Sequence, residues 1–142
     1  MCTYCGCRAI SLIGRLSTEH EAIVNSTGML RRAAGTGDAA AALVAGLELA
    51  ALLDPHTRVE ERSLFAELRT DPEFAEHVEG LCAEHEEINR RLMHIIDGDL
   101  ASAAGLERLL RQHIDKEENG LFPAAAIALG GPAWERVEAR AG

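Results

Sequence analysis

Two stretches of the chain repeat one pattern of histidine and carboxylate. Glu19-His20-Glu21-Ala22-Ile23-Val24-Asn25 matches Glu84-His85-Glu86-Glu87-Ile88-Asn89. His56-Thr57-Arg58-Val59-Glu60-Glu61, followed by Leu64-Phe65, matches His113-Ile114-Asp115-Lys116-Glu117-Glu118, followed by Leu121-Phe122. Each half thus supplies one lone histidine and one His-x-x-x-Glu-Glu. Residues four apart on a helix lie about 40° apart around its axis and one turn along it, so His56 with Glu60, and His113 with Glu117, each turn a nitrogen and a carboxylate the same way. Burying two carboxylates beside four imidazoles without compensation is costly for every charge. A pair of divalent or trivalent cations removes that cost, and mixed imidazole and carboxylate donors in a dry bundle core favour iron or manganese, with zinc possible.

The elements that must position these residues are marked by their punctuation. Gly35-Thr36-Gly37-Asp38 reads as a helix end, a turn and a new N-cap, and Thr70-Asp71-Pro72 as an N-cap pair with proline at the first helical position. Gly98-Asp99 repeats the signal, and Gly130-Gly131-Pro132 closes the last long segment. The predicted helices cover 9–34, 39–70, 72–97 and 100–129, with a tail helix over 133–141. Apolar spacing supports them. Ile13, Leu16, His20, Ile23, Thr27, Leu30 and Ala34 step by three and four, as do Phe74, Val78, Leu81, His85, Ile88, Leu92 and Ile95. Leu49, Leu53, His56, Glu60, Leu64 and Leu68 form a third seam, and Leu106, Leu110, His113, Glu117, Leu121, Ala124 and Ile127 a fourth. Pro55 is expected to kink the second helix or to restart it with Asp54 as N-cap. The predicted fold is all-α: an antiparallel up-down-up-down four-helix bundle over 9–130, preceded by a short cysteine-rich arm over 1–8 and followed by a C-terminal tail over 131–142. Such a bundle gathers four imidazoles and two carboxylates at mid-height, related by a pseudo-twofold.

These residues resemble the hemerythrin-like, or HHE cation-binding, domain. The likeness rests on His20, on His56-x-x-x-Glu60-Glu61 with Leu64-Phe65, on His85, and on His113-x-x-x-Glu117-Glu118 with Leu121-Phe122-Pro123. It covers roughly residues 10–130. The resemblance implies an oxo- or hydroxo-bridged di-iron centre in which Glu60 and Glu117 bridge, His20, His56, His85 and His113 are terminal ligands, and the ligand is dioxygen or a related small oxidant. Oxygen-carrying hemerythrins have a fifth histidine one turn from that of the third helix; here those positions are Leu81 and Asn89, of which only Asn89 carries a donor. Two six-coordinate irons offer about twelve positions, and this set with its bridge leaves about two open. That suits peroxide or turnover chemistry, unless Asn89, Tyr4 or a water closes one side.

The remaining candidates are weaker. His77 and His94 fall well off the third seam and read as surface residues. Glu61 and Glu118 point about 140° from His56 and His113, as solvated groups or as partners orienting a histidine. Glu19, Glu21, Glu84, Glu86 and Glu87 read as a charged outer face, and Asn25 and Asn89 as surface residues or histidine partners. Cys2-x-x-Cys5-x-Cys7 could hold a soft metal ion or form a redox-switchable disulfide, or do neither at a frayed terminus. Cys82 is the only other thiol. Tyr4 could pack over one end of the bundle, and Trp134 reads as a hydrophobic clasp.

Composition bounds the partners. Lys and Arg number 14 against 23 Asp and Glu, a net charge of −9, which argues against phosphate neutralisation and so against nucleic acid. At 47 % hydrophobic the chain can build one core, and only 4 % is aromatic, which favours helices. No run approaches the roughly 20 uninterrupted apolar residues of a spanning helix, and no secretory leader is evident, so no membrane partner is expected and the thiols belong to a reducing cytoplasm. The leading reading is a cytoplasmic di-iron protein, a binder rather than an enzyme, for dioxygen, nitric oxide or peroxide. The alternatives are a catalase-like enzyme decomposing peroxide at the same centre, and an iron-handling or redox-sensing module using the N-terminal cysteines.

Overall fold

A computed structural model describes residues 10–142, and the cysteine-rich arm with Cys2, Tyr4, Cys5 and Cys7 lies outside the described residues. The fold is an all-α bundle. Its elements are α1 (Ser11–Gly35), α2 (Ala39–Arg62), α3 (Leu64–Leu68), α4 (Pro72–Ile96), a 3-10 turn (Leu100–Ser102), α5 (Ala103–Lys116), a π turn (Glu117–Leu121), α6 (Phe122–Ala128) and α7 (Gly131–Ala141). Helix α1 packs on α2, α2 on α4, α4 on α5 and α5 back on α1, which closes a ring around one axis.

Local chemistry accounts for most boundaries. The Asp38 side chain caps α2 by accepting from the Ala41 amide at 3.0 Å, and Asp71 caps α4 by accepting from Glu73 at 2.9 Å with Pro72 next in line. Gly37 and Gly98 turn the chain at φ of 74° and 111°, where a Cβ would be strained. The expected seams of α1 and α4 are buried, apart from the half-buried Ala34 and Phe74.

Three expectations need correction. Of the two outcomes expected at Pro55 the restart with Asp54 as N-cap does not occur: helix α2 runs through Pro55, because Pro55 and Ala51 are exposed and the carbonyl that loses its donor can be solvated. The predicted helix 39–70 breaks instead at Ser63, whose φ of −110° and ψ of −88° separate α2 from α3. The fourth seam holds only as far as Leu121. The π turn inserts an extra residue into the helix, so Phe122 and Ala125 take the buried positions and Ile127 is 88 % exposed.

By averaged hydropathy, the segment Ala39–Leu68 is also long and apolar enough to cross a bilayer, at 1.3 over its best 18 residues, contrary to the run-based reading. Its exposed Leu43, Val44, Leu47 and Leu52 contribute to that value, while its opposite face carries buried His56 and Glu60.

The core divides into two apolar clusters. Leu16, Leu64, Phe65, Leu81, Leu121 and Phe122 belong to one, and Ile23, Leu49, Leu53, Ile88, Leu92 and Leu110 to the other. The motif histidines and carboxylates sit between them in sequence on all four long helical segments of the ring. Helix α7 closes the first cluster with Val137 and Ala141, and Trp134 packs half-buried against it. It is tied down by Arg136 and Arg140 on Glu67, by Arg62 on the carbonyls of Arg140 and Ala141, and by Glu138 accepting from the Leu12 amide.

Candidate metal centre

The structure brings all six motif residues together. His20, His56, Glu60 and Glu117 offer one ligand atom each within 4.8 Å of one another; so do Glu60, His85, His113 and Glu117. The two groups share both carboxylates. Glu60 and Glu117 have no exposed surface, and the four histidines keep 3 to 7 %. The halves match in detail: the His20 and His56 rings stand 4.7 Å apart at 56°, and the His85 and His113 rings do the same. Phe122 stacks on His20 at 5.7 Å and Phe65 on His85 at 5.6 Å, so each aromatic after a motif walls one lone histidine.

Every imidazole is held from outside by a carboxylate on a neighbouring element. The Nδ1–H of His20 donates to Glu118 at 2.7 Å, that of His56 to Glu19 at 2.7 Å, that of His85 to Glu61 at 2.7 Å and that of His113 to Glu84 at 2.8 Å. Glu118 also accepts from Ser17, and Glu84 is paired with Lys116. With Nδ1 fixed as the donor, each neutral ring presents a bare Nε2 lone pair inward. Both oxygens of Glu60 and of Glu117 and the Nε2 atoms of His20 and His56 are buried with no hydrogen-bond partner. The Nε2 atoms of His85 and His113 approach to 3.0 Å, which two lone pairs tolerate only with a proton shared between them or a cation bound by both. Orphaned donors of these types, converging in two linked groups, fit metal ions of borderline hardness.

Glu61 and Glu118 are therefore histidine partners, one of the two roles expected of them. Glu19 and Glu84 do not belong to a merely charged outer face, since both bind a motif histidine. The signal for them was present: in both copies of the repeat a glutamate directly precedes the lone histidine. His77 and His94 are exposed, as expected, and Asn25 and Asn89 are exposed on grooves flanking the site. Cys82 is a free, half-buried thiol accepting from Arg69, pushed up to about 11 by burial and by the charge of Glu61.

Protons take the cation's place electrostatically when no metal is bound. Burial pushes the imidazoles down, but the surrounding carboxylates overcome it: Glu117 and Glu118 raise His20 to about 9, Glu60 and Glu19 raise His56 to about 10, and Glu60 raises His85 to about 9. His113 is raised likewise, by Glu117 against burial. Burial pushes Glu60 up, and His56 and His85 hold it well below the usual carboxylate range. Folded values above the unfolded 6.5 stabilise the metal-free chain fully below pH 6.5, and this is lost as pH rises through 9 to 10. Metal uptake must displace these protons, so adding a divalent cation to metal-free protein in weak buffer at pH 7.5 is expected to release about three protons per chain, from His20, His56 and His85. Binding without proton release would show that the imidazoles are not the ligands.

Fold and site together define a helical domain with a buried histidine and glutamate cluster able to hold metal. The family model described as "Hemerythrin HHE cation binding domain" matches residues 11–125, and the chain belongs to that family. No curated protein and no solved structure matches it.

Proposed function

We propose that the chain is a cytoplasmic di-iron protein that binds or senses dioxygen or a related small oxidant. The observation that carries this reading is the pair of four-residue groups sharing Glu60 and Glu117, with six buried polar atoms left without a hydrogen-bond partner. In this reading Glu60 and Glu117 bridge, His20 and His56 hold one iron, and His85 and His113 the other. Two irons there supply a redox-active, Lewis-acidic centre for a small ligand.

The chain's own residues limit what reaches it. A cavity of about 10 Å3 touches all four imidazoles and is otherwise lined by Ile23, Leu53, Thr57, Ile88, Leu110 and Ile114. That is room for about one water-sized molecule, in apolar surroundings. Phe65 and Phe122 cover His85 and His20. A groove of about 300 Å3 lined by Asp54, Thr57, Asn89 and Leu92 shares Leu53, Thr57, His85 and Ile88 with the cavity and so adjoins it.

The four-histidine set favours a second reading, catalase-like decomposition of peroxide, because a fifth imidazole is absent among the described residues at this site. Adding dioxygen to the reduced, iron-loaded protein and peroxide to the oxidised protein separates the two. A reversible visible band with dioxygen and no oxygen release from peroxide supports the binder, whereas sustained oxygen release supports the enzyme. No spectral response to dioxygen, peroxide or nitric oxide would contradict both.

A further inference from the structure

The four outer hydrogen bonds form a closed cycle. The carboxylate for His56 on α2 comes from Glu19 on α1, that for His85 on α4 from Glu61 on α2, that for His113 on α5 from Glu84 on α4, and that for His20 on α1 from Glu118 on the π turn after α5. Each long segment of the bundle thus gives one imidazole to the centre and one carboxylate to the next segment's imidazole. Fixing ring orientation needs only a neutral acceptor, and a backbone carbonyl or an amide serves for that. All four positions here carry a negative charge instead.

Charge has a consequence that position alone does not. A carboxylate on Nδ1–H makes the imidazole a stronger electron donor at Nε2, and it adds a negative potential that stabilises a trivalent cation more than a divalent one. The four are not equal. Glu84 is paired with Lys116 and Glu19 with Arg15, and the Glu61 side chain is 43 % exposed, so these are partly neutralised or screened. Glu118 is 5 % exposed, and among the described residues the only other group hydrogen-bonded to its carboxylate is the uncharged hydroxyl of Ser17.

Resting on the di-iron reading, we propose that the ring of Glu19, Glu61, Glu84 and Glu118 biases the centre toward its oxidised, ferric state, with Glu118 as the dominant positioning residue. The ring acts through the ligands without touching the iron.

The test uses the full chain and its Glu118→Gln and Glu84→Gln variants, each loaded with ferrous iron, oxidised in air, analysed for metal, then titrated with dithionite and redox mediators while visible absorption is followed. Glutamine keeps an acceptor for the imidazole and for Ser17 and removes only the charge. Glu118→Gln is expected to keep two irons and to shift the one-electron equilibrium toward the reduced state at least tenfold, about 59 mV; Glu84→Gln shifts it less. Unchanged midpoints with both irons retained would overturn the inference and leave the di-iron reading standing. If Glu118→Gln fails to hold iron, the same titration on Glu61→Gln decides, with a shift to higher potential expected and no shift overturning the proposal. A wild-type chain that takes up no iron sinks the di-iron reading itself.

Discussion

Replacing Glu117 by alanine is expected to leave at most one iron per chain, and Glu60→Ala the same. Each of these carboxylates is the shared member of both ligand groups, so one substitution strips a donor from two positions at once. The Glu117 Oε1 atom lies 3.2 Å from Nε2 of His20 and 3.2 Å from Nε2 of His113, one histidine from each half. Loss of an outer partner of a metal ligand alone costs about 10- to 100-fold in affinity, and loss of a bridging ligand costs more. His113→Ala removes a terminal ligand and is expected to lose at least one iron, while His94→Ala, on an exposed residue, keeps both. Metal analysis of the four purified variants reads this directly. Full iron occupancy in Glu117→Ala would mean that the ligand assignment is wrong.

The largest effect on stability is expected at Phe65. Its side chain has no exposed surface, lies in the cluster with Leu16, Leu64 and Phe122, and stacks on His85 at an interplanar angle of 9°. Phe65→Ala deletes an aromatic ring from a closed site, which typically costs about 3 to 5 kcal/mol, a large share of the roughly 5 to 15 kcal/mol that holds a domain together. At this chain length that corresponds to a fall in Tm of roughly 10 to 17 °C. Thermal unfolding of the metal-free protein isolates the packing loss from any change in metal affinity. A destabilisation under 1 kcal/mol there would show that the stack on His85 is not part of a tightly packed core.

Much of the site is legible in the sequence because it obeys one helix's periodicity. His20, His56, His85, His113, Glu60 and Glu117 stand at positions where an apolar residue would otherwise fall, and burial follows from the seam. Glu19 and Glu84 were not legible in that way. Each sits beside the seam on its own helix and reaches a histidine on another, so a single helical wheel shows only a charged edge. The wheel also misplaces Ile127, because an α-helical count cannot register the extra residue of the π turn at Glu117–Leu121. That turn carries both Glu117 and Glu118, so the π-type deviation from regular helix coincides with a shared carboxylate and a histidine partner. Pro55 shows the converse: its residue type signals a break, but solvent on that face lets the helix continue.

The central claim, a carboxylate-bridged di-iron centre, is tested most directly by metal analysis of the aerobically purified or ferrous-iron-reconstituted wild-type chain together with its visible spectrum. The account predicts close to two irons per chain and the near-ultraviolet and visible absorption of a bridged ferric pair, both lost on chelation. A fully folded protein that takes up no iron, or one iron only with no bridge absorption, would contradict it.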